Sequence, residues 1–500
     1  MDHRRQRPAG AETSKDTAII AQKKTAGLSE EFEALFAGTR AAFSQERTFL
    51  RARTLAISSL VGLGRRTVSG MLCTSAQQFT DWSAAYRLFA HERFDRESLF
   101  EPVKSAVLES LAPEEPLVML MDDTLIRKRG RKVHGTAWRR DPLGPPFSIN
   151  FIWGQRFLQL SAALPDRRCM GRACAVPVDF IHAPTAEKPK RNAPPQAWDA
   201  YRQRQSVTRI SAVGAYALYN TRHHLDTQGQ VRHLICAVDG GFTNRTVFRA
   251  IPENTTLIGR IRKDAKLFTP PDEHVGTRRG RPRWYGAALP TPEHIRQDDS
   301  IPWKKVEAFA AGTRHTFEVK SMPAVRWAGT GNRTVHVLII RPLAYRPRKG
   351  ARLLYRDPVY LLCSDPALPL SQLLQSYLWR WEIELNFRDE KTLLGIGQAQ
   401  VRTVASVEKV PSLVVAAYAM LLLAGTSVSD SSKILPRPKW QRPQVTERFT
   451  TQQLIGLLRS QLWEKAMMVN LRHFASTARQ ARTPLNFENS LASAVCYATN

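Results

Sequence analysis

The chain has 500 residues, enough for several domains, and 43% of them are hydrophobic, so it is a globular protein. Lys and Arg number 73 against 44 Asp and Glu, which gives a formal net charge of +29. A charge of this size favours a polyanionic partner, most simply nucleic acid. A membrane surface is the weaker alternative, because the basic residues are spread along the chain and are not gathered on one amphipathic helix.

Neither the cysteines nor the apolar segments indicate secretion or a membrane. The six cysteines are scattered and complete no zinc-binding pattern, so we expect reduced thiols in a cytosolic protein. The N-terminus resembles neither a signal peptide nor an anchor. The run VPSLVVAAYAMLLLAGTSV, from Val410, is barely long enough to span a bilayer and carries Pro411, so it predicts a buried core helix. We therefore predict a cytoplasmic, nucleoid-associated protein.

The first part of the chain is helical in pattern. Residues 1–29 are polar and predicted to be a disordered tail, and residues 30–112 are predicted to be a helical DNA-binding domain. The segment GLGRRTVSGMLC, from Gly62, fits a helix-turn-helix in which Arg65 and Arg66 contact DNA. An ordinary helical pair joined by glycine is an equal alternative.

A strand–helix alternation begins at Pro116. PLVMLMDDT predicts a buried strand that ends at Asp122 and Asp123. After a basic loop, PFSINFIW and RFLQLSAAL predict two strands joined by a tight turn at Gly154, and residues 165–195 are predicted to be irregular. Residues 197–222 predict one helix with a basic face.

The strand HLICAVDGGFTN, from His233, ends at Asp239 and completes the pattern of an α/β core over residues 113–265.

Residues 266–357 lose this alternation and are predicted to be a β-rich insertion. Within it, RGRP at 279–282 is similar to the centre of a minor-groove AT-hook, so Arg281 is a candidate DNA contact, although such short matches arise by chance. Trp284 and Trp303 are candidates for stacking on bases. Hydrophobic packing inside a small β unit is at least as good an interpretation for each tryptophan.

The core resumes over residues 358–425 and is followed by a helical C-terminal region, 426–500. Its central element is the predicted helix SQLLQSYLWRWEIELNFRDEK, from Ser371. At about 100° per residue, one narrow stripe contains four polar residues, and an apolar stripe lies beside it. These four are Tyr377, Arg380, Glu384 and Lys391. Glu382, Asp389 and Glu390 point away from the stripe and are expected to be solvated.

Three acidic residues occupy similar positions, at or just after the end of a predicted strand. Asp122 and Asp239 each end a strand, and Glu384 lies on a helix directly after a third strand, so all three can meet at one sheet edge. Carboxylates brought together repel, and two divalent metal ions relieve this repulsion while creating a phosphoryl-transfer site. Oxygen ligands favour Mg²⁺ or Mn²⁺ over zinc. We favour Asp122 because it directly follows the apolar run; Asp123 is the alternative first acid.

The four-residue stripe, with spacing Tyr-x2-Arg-x3-Glu-x6-Lys, resembles the YREK signature of bacterial insertion-sequence DDE transposases. VMLMDDT resembles their first-acid motif and AVDGGFTN their second-acid motif. The resemblance covers residues 30–425. It implies an α/β fold with an RNase H-like mixed sheet, interrupted by a β-rich insertion, beside a helical N-terminal domain and a helical C-terminal region.

The resemblance also implies a mechanism, cut-and-paste DNA transposition. Asp122, Asp239 and Glu384 would bind two Mg²⁺ ions, for which Mn²⁺ can substitute. Tyr377, Arg380 and Lys391 would hold phosphates of the transposon ends, and Trp303 or Trp284 could stack on a flipped base. The partners would be the double-stranded DNA of the transposon ends and of the target, bound by a homodimer. No association with a membrane would be expected. A domesticated DNA-binding regulator and a repair or resolving nuclease are the alternatives.

Overall fold

The computed structural model describes residues 27–79, 81–141, 144, 147–271, 283–346, 348, 350–428, 439–440 and 448–474, with side chains up to residue 463 in the last segment. The described residues form helices and strands, of which the first five helices precede the first strand. The helices are α1 (Leu28–Ala37), α2 (Glu46–Val61), α3 (Val68–Thr74), α4 (Ser83–Ala90), α5 (Glu101–Ser110), α6 (Pro195–Thr208), α7 (Ile210–Thr227), α8 (Arg245–Arg249), α9 (Pro292–Gln297), α10 (Leu370–Trp379), α11 (Trp381–Thr392), α12 (Val404–Ser427) and α13 (Thr451–Phe474).

One large mixed sheet organises the molecule. The strands are β1 (Leu117–Arg127), β2 (Ala137–Arg140), β3 (Phe151–Pro165), β4 (Ala173–His182), β5 (Leu234–Val238), β6 (Thr255–Arg260), β7 (Leu267–Phe268), β8 (Ala288–Leu289), β9 (Lys304–Ala310), β10 (Thr313–Trp327), β11 (Thr334–Ile340), β12 (Ala344–Tyr345), β13 (Leu354–Tyr355) and β14 (Val359–Cys363). The main sheet runs β2-β3-β1-β5-β6-β14-β11-β10-β7-β8, with β4 also paired to β3 and β9 to β10. Strands of the predicted insertion therefore extend the central sheet.

The centre of the sheet is parallel and its flanks are antiparallel. β1, β5 and β6 run parallel, whereas β3 is antiparallel to β1 and β14 is antiparallel to β6. Parallel strands need both faces covered by helices, and their apolar side chains point to both sides. Leu120 and Ala237 pack with Leu373 and Ile383 of α10 and α11 on one face. Met121 belongs to the core on the other face, which includes residues of α7. This is a mixed α/β fold.

The apolar run from Val410 lies in α12, which packs against α1, α2, α4, α5 and β4. By length and composition α12 could cross a membrane, but 83% of its most apolar stretch is buried inside the protein. It is the central core helix that the sequence predicts. The N-terminal helices are thus held by burial against α12 and share its hydrophobic core.

Three local predictions were wrong. β3 is one strand of 15 residues, without a turn at Gly154. Gly154 serves close packing instead, because a Cβ there would lie 2.5 Å from the Ile126 carbonyl oxygen of the paired strand. The segment predicted to be irregular contains β4, and the predicted helix over 197–222 is two helices, since Arg209 has an extended backbone (ψ 137°).

Candidate active site

The two predicted aspartates lie side by side at the centre of the sheet. The prediction that β1 ends at the aspartates was wrong, because β3 remains paired with β1 as far as Arg127. The parallel pairing with β5 does end there: Met121 pairs with Val238, and the next residue on each strand is an acid, Asp122 or Asp239. The prediction that Asp239 follows its strand is confirmed.

The predicted helix from Ser371 is divided into α10 and α11 at Arg380. The hydrogen bonds there tighten to a 3₁₀ pattern, with the Arg380 amide donating to Tyr377 (3.1 Å) and the Ile383 amide donating to Arg380 (3.2 Å). Arg380 keeps helical backbone angles, so the chain continues in the same sense. The two halves dock on different strands: α10 packs on β5, β6 and β9, and α11 on β1 and β4.

Arg380 joins two of the predicted acids. Its Nη1 donates to Asp122 Oδ2 at 3.0 Å, and its Nη2 donates to Glu384 Oε1 at 3.2 Å. The Arg380 side chain is 13% exposed, and its guanidinium lies 5.9 Å from the ring centre of Tyr377. A buried guanidinium requires anionic partners to offset its lost hydration. The stripe predicted on the helix therefore faces Asp122.

The charges of the site perturb one another. Burial and the negative charge of Asp239 together raise the pKa of Asp122 to about 7, against the opposing charge of Arg380. Burial also raises the pKa of Tyr377, against the influence of Arg380. Burial lowers the pKa of Lys391, against the charges of nearby acids that include Asp122. Lys391 therefore lies within electrostatic reach of Asp122.

Asp123 belongs to a different environment. Burial raises its pKa, and the positive charges of Arg156 and Arg139 oppose this effect. Successive residues of a strand point to opposite faces of the sheet. Accordingly, Asp122 pairs with Glu384 through Arg380, and Asp123 faces arginines of β2 and β3.

The donor chemistry of this site suits a hard divalent cation. Asp122 and Asp239 repel each other, and a cation between carboxylates would remove the repulsion that raises the pKa of Asp122. Among the described residues, no group of three or more His, Cys, Asp or Glu side chains is close enough to hold a metal ion. In this conformation the guanidinium of Arg380 supplies the positive charge between Asp122 and Glu384.

The other predicted DNA contacts have varied positions. Arg65 is exposed, but Arg66 is 3% exposed and its amide donates to Gln398 Oε1, so its predicted role as a surface contact is wrong for this conformation. Trp303 is partly buried, with Lys320 at 4.6 Å and Arg341 at 5.6 Å from its ring centre, so stacking on a base would have to displace these cations. Arg249 lies over the ring of Trp284. Arg281 is outside the described residues.

The three acids expected to be solvated are buried or partly buried. Glu390 is fully buried, Asp389 is 7% exposed, and Glu382 accepts a hydrogen bond from Arg448 at 3.1 Å. Burial raises the pKa of Glu390 to about 8. The signal was present in the sequence: Glu390 follows the buried Ile383 and Phe387 at helical spacing, so it belongs to the docked face of α11.

Asp389 and the neighbouring Asn386 belong to a buried polar network behind the site. Asp389 accepts a hydrogen bond from the Thr451 hydroxyl of α13 at 2.6 Å. Asn386 accepts one from Ser161 of β3 at 3.1 Å and donates to the Ala175 carbonyl of β4 at 3.0 Å. Gln159, whose amide contributes to the environment of Glu390, is also the cross-strand partner of Asp122. The network thereby fixes α11 against the strand beside Asp122.

A family model of DDE superfamily endonucleases matches residues 39–333, more than half of the chain. The matched range contains Asp122 and Asp239 and ends before Glu384. No curated protein matches the chain at a significant level.

Proposed function

The chain belongs to the DDE superfamily of endonucleases, and from this premise we propose that it is a DNA transposase of the insertion-sequence type that carries the YREK signature. It cleaves DNA at transposon ends and joins the freed strand to target DNA. The observation that carries the proposal is the bridge from Arg380 to Asp122 and Glu384, beside Asp239. It unites the family-matched half of the chain with the signature helix beyond the match.

An RNase H-like core is part of the proposal. The strand order β4-β3-β1-β5-β6 supports it, because β3 is antiparallel to both neighbours while β1, β5 and β6 are parallel. In an α/β sheet of this kind, the ends of adjacent parallel strands are the usual place for a catalytic site. Asp122 and Asp239 follow the last residues of the β1–β5 parallel pairing.

The carboxylates of Asp122, Asp239 and Glu384 would hold two Mg²⁺ ions, which would supply positive charge for phosphoryl transfer at a scissile phosphate. The chain's own residues prepare the site. Burial of Asp122 beside Asp239 makes the carboxylate pair costly without a cation. Arg380 holds the Asp122 and Glu384 carboxylates together and can offer its planar N–H groups to a phosphate.

Tyr377 and Lys391 complete the phosphate-binding set. Both lie within electrostatic reach of the acids: Asp239 acts on Tyr377, and Asp122 acts on Lys391. Double-stranded DNA is the partner, and the net charge of +29 supplies affinity for its backbone. We propose a homodimer on paired ends, as in the family that the signature resembles.

The experiment compares two labelled duplexes with purified protein and Mg²⁺. One carries the DNA that flanks the coding region, and the other is a scrambled duplex of equal length and composition. A transposase cuts the first at a defined position and joins its 3′ end to a target plasmid. Binding without any cut would indicate a DNA-binding regulator, and equal cutting of both duplexes would indicate a general nuclease; either outcome contradicts the proposal.

A further inference from the structure

A second charged cluster lies on the opposite face of the sheet from Arg380. Asp123 pairs with Leu158, and Arg156, two residues away on β3, pairs with Leu125. On the outer side, Arg139 of β2 pairs with Ile152. Paired residues of antiparallel strands share a face, and so do residues two apart on one strand. Asp123, Arg139 and Arg156 therefore point to the same side.

Three buried nitrogen atoms of the two arginines have no hydrogen-bond acceptor in the part of the chain that the structure describes. Within the described residues, the buried Nε and Nη2 of Arg139 and the buried Nε of Arg156 have no hydrogen-bond partner. A buried charged donor without a partner has lost its hydration and gained nothing in return, so such groups call for a ligand. A bound anion would supply the missing acceptors.

The charges of the cluster do not balance. Asp123 is the acid that acts on both arginines, and it makes an ion pair with neither among the described residues. Burial and the charge of Arg156 lower the pKa of Arg139 to about 10, a sign that the two cations repel each other. One anion bound between them would neutralise this repulsion.

The ligand is identified by the location of the cluster. Asp123 is the chain neighbour of Asp122, so the arginines flank the carboxylate site from the other side of β1. Guanidinium groups match the geometry of phosphate oxygens. We propose that Arg139 and Arg156 bind a backbone phosphodiester of the DNA close to the scissile phosphate. This inference rests on the proposed function and adds a phosphate contact to those proposed for Arg380 and Lys391.

The salt dependence of DNA binding tests the proposal. Binding of a 40-base-pair duplex of arbitrary sequence is measured in EDTA between 50 and 200 mM salt, so that cleavage plays no part. Each phosphate contact contributes about −0.9 to the slope of log K against log salt concentration. The double variant Arg139→Gln/Arg156→Gln should lose about one unit of slope. The matched control is Arg167→Gln/Arg168→Gln, two exposed arginines at the opposite end of β3, which should keep the wild-type slope.

A second variant guards against misfolding. Asp123→Asn removes the acid that repels a phosphate, so it should tighten DNA binding, by about fivefold if the removed repulsion equals one screened like-charge contact. A damaged fold cannot produce this gain. If the arginines serve only to pair with Asp123, Asp123→Asn weakens binding or leaves it unchanged, which overturns the proposal, as does a wild-type slope in the double arginine variant.

The two proposals fail separately. If the wild-type protein cuts flanking DNA and the double arginine variant keeps the full salt dependence of binding, only the proposed phosphate contact is contradicted. If the double variant loses part of the salt dependence but the wild-type protein never cuts DNA, only the proposed transposase activity is contradicted.

Discussion

Replacing Glu390 by Gln should remove a pH dependence of stability that wild type carries. Glu390 is fully buried, and burial raises its pKa to about 8. In the unfolded chain an exposed glutamate titrates near 4.3 to 4.5. Between these values the folded protein keeps the proton and the unfolded chain loses it, so the free energy of unfolding falls as pH rises and becomes level above about 8.

The magnitude follows from the width of this window. One pKa unit corresponds to about 1.4 kcal/mol, so wild type should lose about 3 kcal/mol of unfolding free energy between pH 5 and pH 7.5 because of this carboxyl. For a chain of this length the change amounts to about 3 °C in Tm. Gln has nearly the same shape and cannot ionise. Glu390→Gln should therefore lack this contribution. Raising the pH from 5 to 7.5 should lower the Tm of wild type by about 3 °C more than the Tm of the variant.

The assay is thermal unfolding of both proteins from pH 5 to pH 8.5, read as the difference in Tm. Glu307→Gln, at an exposed position on β9, is the matched control and should stay parallel to wild type. If Tm changes with pH in the same way for Glu390→Gln and wild type, the reasoning is refuted, because Glu390 would then have the same pKa in the folded and the unfolded protein. The groups that act on it are Gln159, Lys391 and Asp389.

Three further predictions concern the site and its support. Asp122→Ala should abolish metal-dependent DNA cleavage, whereas Asp123→Ala should retain most of it; the reverse result in the same gel assay would reassign the first acid. Arg380→Gln should lower the cleavage rate by tenfold or more, about 1.4 kcal/mol in barrier, because it separates Asp122 from Glu384; a wild-type rate would contradict this role. Thr451→Val should cost about 1–3 kcal/mol of unfolding free energy, because the buried Asp389 Oδ2 loses the Thr451 hydroxyl and only Oδ1 keeps a donor, from Arg388; an unchanged denaturation midpoint would contradict it.

The sequence predicted the elements that depend on local pattern. Asp239 follows a short, continuously apolar strand, and such runs bounded by glycine are recognisable without knowledge of their partners. The stripe containing Tyr377, Arg380 and Glu384 follows from helical spacing alone. The break at Arg380 escaped this reasoning because it depends on how α10 and α11 dock on different strands.

What depends on distant partners was not predictable from local pattern. β1 continues beyond Asp122 because β3 pairs with it there, and that register is set by residues more than 25 positions away. Glu390 was assigned to solvent because charged residues are usually exposed. It is buried because α11 docks on β1 and β4, next to the polar network that joins α11 to β3 and α13. The spacing from Ile383 and Phe387 was the available signal.

The central claim is that Asp122, Asp239 and Glu384 act as one metal-dependent site. The most direct measurement is the cleavage rate of labelled flanking DNA over a range of Mg²⁺ concentrations, for wild type and Glu384→Gln. Glu382→Gln is the control on the same helix, since Glu382 accepts from Arg448 and not from Arg380. We expect Mg²⁺-dependent cuts at defined positions in wild type and the control, and loss of cleavage in Glu384→Gln. Equal rates in wild type and Glu384→Gln would contradict the claim.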